Sequence, residues 1–292
     1  SNTDFGSAHN IAINEDTGFD YIVGSYYSDD CWGGLLMFDI STPTEPSVVG
    51  CFAGGTPVGE PDSSYPTDVY THDVQCVSYS GPDPDYKDRE LCFTADEQSL
   101  GIVDVSDKAA PVQVARVSYS GVGYTHQGWL TEDQRYFLLD DEFDEILSSG
   151  ETKTYIWDML DLDAPELIGT IENPSEAIGH NLYTRGDLAY QANYTSGLRI
   201  VDLSQVASGS GSEIAYYDTY PEDDFFFAAA GVQSRSRLPR AQFAAQSPLL
   251  HPEGEGQGAA TFNGAWGNYP YFESGIIVVS DIERGLFVLR KL

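Results

Sequence analysis

An apolar strand that ends in aspartate recurs along this chain, and that repeat constrains the fold more than any other feature. The copies are "LLMFDIS" (Leu35–Ser41), "LGIVDVS" (Leu100–Ser106), "TYIWDML" (Thr154–Leu160) and "LRIVDLS" (Leu198–Ser204). A last copy, "LFVLRKL" (Leu286–Leu292), has Arg290 at the aspartate position. Turns with proline often follow, as in "STPTEPSVVG" and "LDAPELIGT", and lead into another short strand. Upstream of each copy lie two more strands separated by turn chemistry such as "EDTG", "SGPDPD", "TEDQ" and "RGD". Each repeat is thus four short antiparallel strands, A to D, within roughly 45–65 residues, the unit of a β-propeller blade. The expected class is all-β, a β-propeller of four-stranded antiparallel blades with five repeats visible. The five either close alone or belong to a six- or seven-bladed ring.

The expected organisation is a single β-propeller domain over 1–292. The interval from Asp202 to Arg290 is 88 residues, and removing about 34 restores the common spacing. Residues 225–258, rich in Ala, Gln, Arg, Ser and Pro, are therefore expected to be a flexible insertion between blades.

Histidine falls at one repeat position. His9, His72, His126 and His180 each begin strand A, the innermost strand of a blade. The geometry of a propeller then predicts four imidazoles at one end of a central channel. Strand B returns to that end and carries Ser25, Asp96 with Glu97, Asp140 and Asp141 with Glu142, Asn193, and Asp281. Neutral imidazole is a common transition-metal ligand, and carboxylates orient it through its second nitrogen. The expected metal ligands are His9, His72, His126 and His180, for Fe, Cu, Mn or Zn. Asp96, Asp141, Asn193, Asn263 and Asp281 are the expected supporting or substrate-binding positions. Asn263 stands where the fifth repeat lacks the histidine, and His251, in the insertion, is incidental. The competing structural reading is that each histidine bonds a neighbouring blade and locks the blades together. The Asp-rich turns "EDTGFD", "GPDPDYKD" and "DDEFDE" could hold Ca²⁺ through oxygen ligands, although none has EF-hand spacing.

Composition narrows the partners. The formal net charge of −32 opposes nucleic acid and anionic membrane, and suits metal cations, cationic substrates or a salty environment. No apolar run is long enough to span a bilayer. The opening "SNTDFGSAHN" lacks the basic region and apolar core of a signal peptide, so the signal has been removed or the chain is a piece of a longer one. Four cysteines, Cys31, Cys51, Cys76 and Cys92, form no CxxC pair. Two disulfides in an oxidising compartment are expected, the alternative being four buried thiols. Cys76 on strand A and Cys92 on strand B face each other across a hairpin, while Cys31 and Cys51 approach the histidine-bearing end. The expected pairs are Cys31–Cys51 and Cys76–Cys92. Asn193-Tyr194-Thr195 is a glycosylation sequon. No GxSxG, P-loop, GxGxxG or HExxH is present. The pair Asp140/Asp141 could serve glycoside hydrolysis, but nothing singles out an acid and a nucleophile.

The stretches "AHNIAINEDTGFDYIVG", "YTHDVQCVSYSGPDPDYKDRELCF", "GVGYTHQGWLTEDQRYFLLDDE" and "GHNLYTRGDLAYQANYTSGLRIVDLS" resemble the choice-of-anchor B family, extracellular proteins with LVIVD-type propeller repeats. The resemblance covers nearly the whole chain outside 225–258. It implies a secreted or surface-attached propeller and implies no reaction. Two functions follow as alternatives. One is an extracellular metalloprotein with an oxidase, oxygenase or hydrolase activity, in which Asp96, Asp141 or Asp281 supports the metal or acts as base. The other is a non-catalytic module that recognises a small molecule, a glycan or a surface protein through Tyr26, Tyr27, Trp32, Tyr124, Trp129, Tyr194 and Trp266. The sequence does not decide whether the protein is an enzyme.

Overall fold

The computed structural model describes residues 6–25, 31, 33–54, 70–148, 150–221 and 260–291. The insertion expected at 225–258, with His251, and the rim aromatics Tyr26, Tyr27 and Trp32 lie outside the described residues. The chain is all-β, as the repeat predicts. Sheet 1 holds β1 (Asn10–Asn14), β2 (Phe19–Val23), β3 (Leu35–Asp39) and β4 (Ser47–Phe52). Sheet 2 holds β5 (Asp73–Ser78), β6 (Glu90–Ala95), β7 (Leu100–Asp104) and β8 (Val112–Val117). Sheet 3 holds β9 (Thr125–Leu130), β10 (Tyr136–Asp141), β11 (Thr152–Asp158) and β12 (Glu166–Asn173), with the short helix α1 (Asp144–Ser148) before β11. Sheet 4 holds β13 (Asn181–Arg185), β14 (Leu188–Ala192), β15 (Leu198–Asp202) and β16 (Ser212–Tyr217). Sheet 5 holds β17 (Ala265–Tyr269), β18 (Ile276–Asp281) and β19 (Gly285–Arg290), three strands among the described residues. Every sheet is an antiparallel meander in chain order.

The chain divides into two compact units, Ser1–Phe137 with Asp158–Glu166, and Leu138–Trp157 with Leu167–Leu292. In the first unit, β3 shows why the repeat is apolar without alternation. Leu35 and Met37 face one side and pack with Tyr21 and Val23 against Val74, Cys76, Cys92 and Val103 of sheet 2. Leu36 and Phe38 face the other side with Ile22. A strand buried on both faces reads as a continuous apolar run. In the second unit, Tyr190, Ala192, Leu198, Ile200 and Ala215 of sheet 4 pack on Ala265, Ile277, Val279 and Leu289 of sheet 5.

The recurrent aspartate has a local cause. Asp39, Asp104, Asp158 and Asp202 each accept the backbone N–H two residues on, from Ser41, Ser106, Leu160 and Ser204, at 2.8, 3.0, 2.9 and 2.7 Å. The side chain closes the turn that ends the strand. Arg89 adds an ion pair to Asp104, and Arg135 a two-bond pair to Asp158.

A second repeat position appears only in three dimensions. The fourth residue of the outer strand is small in four sheets: Gly50, Ala115, Gly169 and Ala215. A Cβ on Gly50 would overlap the Lys108 carbonyl, and one on Gly169 would overlap that of Gly209. Backbone from the following sheet's β-turn region thus seats directly on the outer strand.

A buried polar hub joins sheets 1 and 2. The Glu90 carboxylate accepts Asn14 Nδ2 at 2.8 Å, Thr17 Oγ1 at 2.7 Å, Tyr21 OH at 2.5 Å and Lys108 Nζ at 2.7 Å. Lys108 also donates to Val105 O at 2.7 Å and lies over the Phe19 ring. Burial alone would raise the Glu90 pKa, but the bonds from Lys108, Tyr21 and Thr17 outweigh it and hold the carboxyl below its usual value. The second unit has a simpler counterpart, Arg199 with Glu213 at 3.2 Å, their side chains 2% and 3% exposed.

Removing one partner of a buried ion pair leaves the other charge desolvated. Lys108→Ala should therefore cost about 3–5 kcal/mol in chemical denaturation, and the double variant Lys108→Met/Glu90→Gln less. A loss under about 1 kcal/mol for Lys108→Ala would show that the hub does not hold the sheets.

Candidate functional site

Three of the expected histidines come together in the first unit. His9 precedes β1, His72 precedes β5, and His126 is the second residue of β9. His9 and His72 are placed by the same bond, their N–H donating to Val23 O at 2.9 Å and Ala95 O at 2.8 Å. The His72 ring stands between its neighbours, with centroids 3.8 Å from His9 and 4.3 Å from His126, and Tyr124 meets it edge-on at 5.1 Å. His72 Nδ1 bonds the carbonyl of His126 at 3.0 Å. A carbonyl only accepts, so Nδ1 carries the proton and Nε2 carries the lone pair. Burial, and then the proximity of His9, push the His72 pKa down to about 4 against the opposing His126 carbonyl. Burial lowers that of His9 as well. The His9 and His72 rings therefore favour the neutral form at pH 7, the form that binds metals.

His180 belongs to the second unit and repeats the construction. Its Nδ1 bonds Trp266 O at 2.5 Å, and its Nε2 stands 3.6 Å from Glu142 Oε1. Tyr194 OH donates to the same carboxylate oxygen at 2.5 Å. Tyr194 and Trp266 flank the imidazole, with centroids at 4.5 and 4.6 Å. Burial raises the Glu142 pKa, opposed by the Tyr194 bond. The residue after each of two histidines also reaches the next sheet: Asn10 donates to Asp73 Oδ2 at 2.7 Å, and Asn181 to Trp266 O at 2.8 Å.

The loop after β10 explains why Glu142, rather than the expected Asp141, meets His180. Asp141 Oδ1 accepts the N–H groups of Phe143 and Asp144, both at 3.0 Å, turning the chain into α1. Glu145 then accepts Lys153 N at 2.9 Å and Gly179 N at 3.3 Å, tying α1 to the residue before His180. Burial, and then the neighbouring Asp144, push the Glu145 pKa up, and burial raises that of Asp144 as well, so the pair holds a proton above the usual carboxylate range. Asp281 plays the part of Asp141 in sheet 5, accepting Glu283 N at 3.0 Å and Arg284 N at 2.8 Å.

The other expected positions divide in role. Asp96 is buried and engaged by Thr71 Oγ1 at 2.8 Å, Thr94 Oγ1 at 2.9 Å and Arg116 Nε at 3.8 Å. Asn263 lies ahead of β17 and donates to Glu283 at 2.6 Å, and the carbonyl that receives a histidine in sheet 5 is that of Trp266. Asn193 is 1% exposed, and neither its Oδ1 nor its Nδ2 has a hydrogen-bond partner. Thr195 is equally buried, so the folded chain does not present the sequon to a glycosylating enzyme. Of the rim aromatics described, Tyr194 is buried and Trp266 is 47% exposed. Among the Asp-rich turns, Asp83 gathers with Asp161 and Asp163, one oxygen from each within 4.8 Å of the others. Asp83 already accepts Asp85 N and Leu162 N there. The cysteines pair as expected, Cys31 with Cys51 and Cys76 with Cys92, with Cα separations of 6.0 and 4.0 Å.

Sequence reasoning placed Glu142 at the histidine end but singled out Asp141 instead, and it missed the Trp266 carbonyl and the Glu90 hub. The signal for Glu142 was local: Asp141 and Asp281 both close a turn over the next three residues, so the following residue is the one left to project.

The LVIVD repeat model matches residues 5–53 and 92–118. No curated protein sequence matches the chain significantly. Among solved structures, a protein from Lactobacillus plantarum is similar with a TM-score of 0.56 and 16% identity, covering 96% of this chain and 66% of its own. The Cps50 (Swd1) β-propeller domain of Myceliophteria thermophila gives 0.52 and 12%, covering 94% and 67%. The periplasmic gluconolactonase PpgL of Pseudomonas aeruginosa gives 0.51 and 13%, covering 91% and 61%. The chain thus spans about two thirds of these structures' length, and the likeness establishes the β-propeller fold alone.

Asp73, beside His72, gives a pH test. Burial raises its pKa from 3.8 to about 6 despite bonds from Val74 N and Asn10. A raised acid favours the folded state while protonated, so this stabilisation is present below about pH 4 and is lost as pH rises through 6. Asp73→Asn should remove up to about 3 kcal/mol from the stability difference between pH 4 and pH 7.5 in metal-free protein. Urea melts at both pH values measure it, and an unchanged difference would contradict the assignment.

Proposed function

We propose that the protein is an extracellular β-propeller of the choice-of-anchor B type that binds a divalent transition metal through histidines at its sheet ends. The observation that carries this reading is the His180–Glu142 pair. Their ligand atoms are 3.6 Å apart. Two ligands on one four-coordinate ion with bonds of about 2.0–2.1 Å stand about 3.3 Å apart. Each is also oriented from behind, His180 by the Trp266 carbonyl and Glu142 by the Tyr194 hydroxyl. Such supporting bonds fix the tautomer and raise ligand basicity. The gathered imidazoles of His9, His72 and His126 offer the same ligand type in the first unit. Two disulfides support an oxidising, extracellular setting. No helix among the described residues is long and apolar enough to cross a membrane.

A second reading, glycan recognition, draws on Tyr269 and Phe272, which are 49% and 45% exposed and meet at 4.9 Å. Arg185 clamps their turn by donating to Pro270 O at 2.6 Å and Phe272 O at 2.9 Å. Elemental analysis of protein purified without chelator separates the two. Stoichiometric metal that His180→Ala and Glu142→Gln each reduce by one ion per chain is the expected result. Protein that remains metal-free after loading with Zn²⁺ or Mn²⁺ would remove the first reading.

A further inference from the structure

We infer that Asn193 supplies a third ligand atom beside His180 and Glu142, and that this set takes a hard or borderline divalent cation of the Mn²⁺, Fe²⁺ or Zn²⁺ kind. The inference rests on the metal reading above and adds to it a residue and a metal class.

The argument begins with an unspent amide. A buried carboxamide with both its donor and its acceptor unpaired is costly, and such groups mark the place of a water, an ion or a ligand. Asn193 is in that state, with its side chain buried and its Oδ1 and Nδ2 unbonded. Its backbone is nevertheless pinned. The N–H donates to Gly197 O at 2.9 Å, and the carbonyl accepts Ser196 N and Ser196 Oγ, both at 3.0 Å. The amide is held in place without being used.

Its neighbours place it at His180. Asn181 and Ala192 form the last pair of the β13–β14 ladder, so His180 and Asn193 are the residues that leave it on the two strands. Tyr194, directly after Asn193, packs on the His180 ring at 4.5 Å and bonds Glu142. Glu142 reaches the same imidazole from the β10–α1 loop.

Comparison between repeats singles the residue out. In sheet 2, Asp73 pairs with Ala95, so Asp96 follows the last ladder partner as Asn193 does in sheet 4. The Asp96 carboxylate is taken by Thr71, Thr94 and Arg116. Asp141, at the end of β10, caps its own loop. Asn193 has no such structural employment.

The donor set then selects the ion. One imidazole nitrogen, one carboxylate oxygen and one amide oxygen favour hard or borderline dications over Cu⁺. No free thiol is present to alter that preference among the described residues.

The test uses the full chain. Mn²⁺ binding is followed by electron paramagnetic resonance, with Zn²⁺ as competitor, in wild type, Asn193→Ala, Asn193→Asp, His180→Ala and Glu142→Gln. The expected results are displacement of Mn²⁺ by Zn²⁺, at least tenfold weaker Mn²⁺ binding in Asn193→Ala, and tighter binding in Asn193→Asp, whose size and shape preserve the fold. Wild-type affinity in both Asn193 variants, with binding lost in His180→Ala, would overturn the role of Asn193 and leave the metal reading standing. Binding unchanged in His180→Ala and Glu142→Gln as well would overturn both. A wild-type chain that takes Cu⁺ but neither Mn²⁺ nor Zn²⁺ would overturn the metal class.

Discussion

A four-stranded sheet of this kind has two apolar faces, and neither can be left to water. Leu35 and Met37 on one side of β3, and Leu36 and Phe38 on the other, state the constraint within four residues. Each sheet must therefore be covered by others like it, and burial of apolar area drives the stacking. The small residue at the fourth place of four outer strands serves the same end, since Gly50 and Gly169 let backbone approach where a side chain would obstruct it.

Apolar contact brings sheets together but does not fix their angle or register. Buried polar groups do that here. Glu90 collects donors from two sheets, and the histidines tie the start of one inner strand to the carbonyl of the next. The two roles weighed for the histidines are not exclusive. Nδ1 of His72 and of His180 performs the structural one by bonding a carbonyl, which leaves the electron pair on Nε2.

Much of this was legible. The strands, the hairpin pairing of Cys76 with Cys92 and the common place of the histidines all follow from local periodicity. The fold class follows because a four-strand meander repeated along a chain has few ways to bury two faces. What stayed hidden were choices between adjacent residues. Asp141 and Glu142 are chemically alike in the sequence, and only the turn that Asp141 closes decides which of them meets His180. Asn263 and Trp266 are three places apart, and only the fold shows that Asn263 bonds Glu283 while the Trp266 carbonyl receives His180.

The sequence by itself determined the repeating strand unit, the acidic balance, the disulfide pairs and the gathering of imidazoles at strand starts, because each depends on spacing along the chain. Tertiary structure alone decided the Glu90 hub, the raised pKa of the buried Asp144–Glu145 pair, the idle amide of Asn193 and the carboxylate that faces His180. Those depend on which atoms from distant strands compete for the same hydrogen bonds once water is excluded, and no spacing rule encodes that competition.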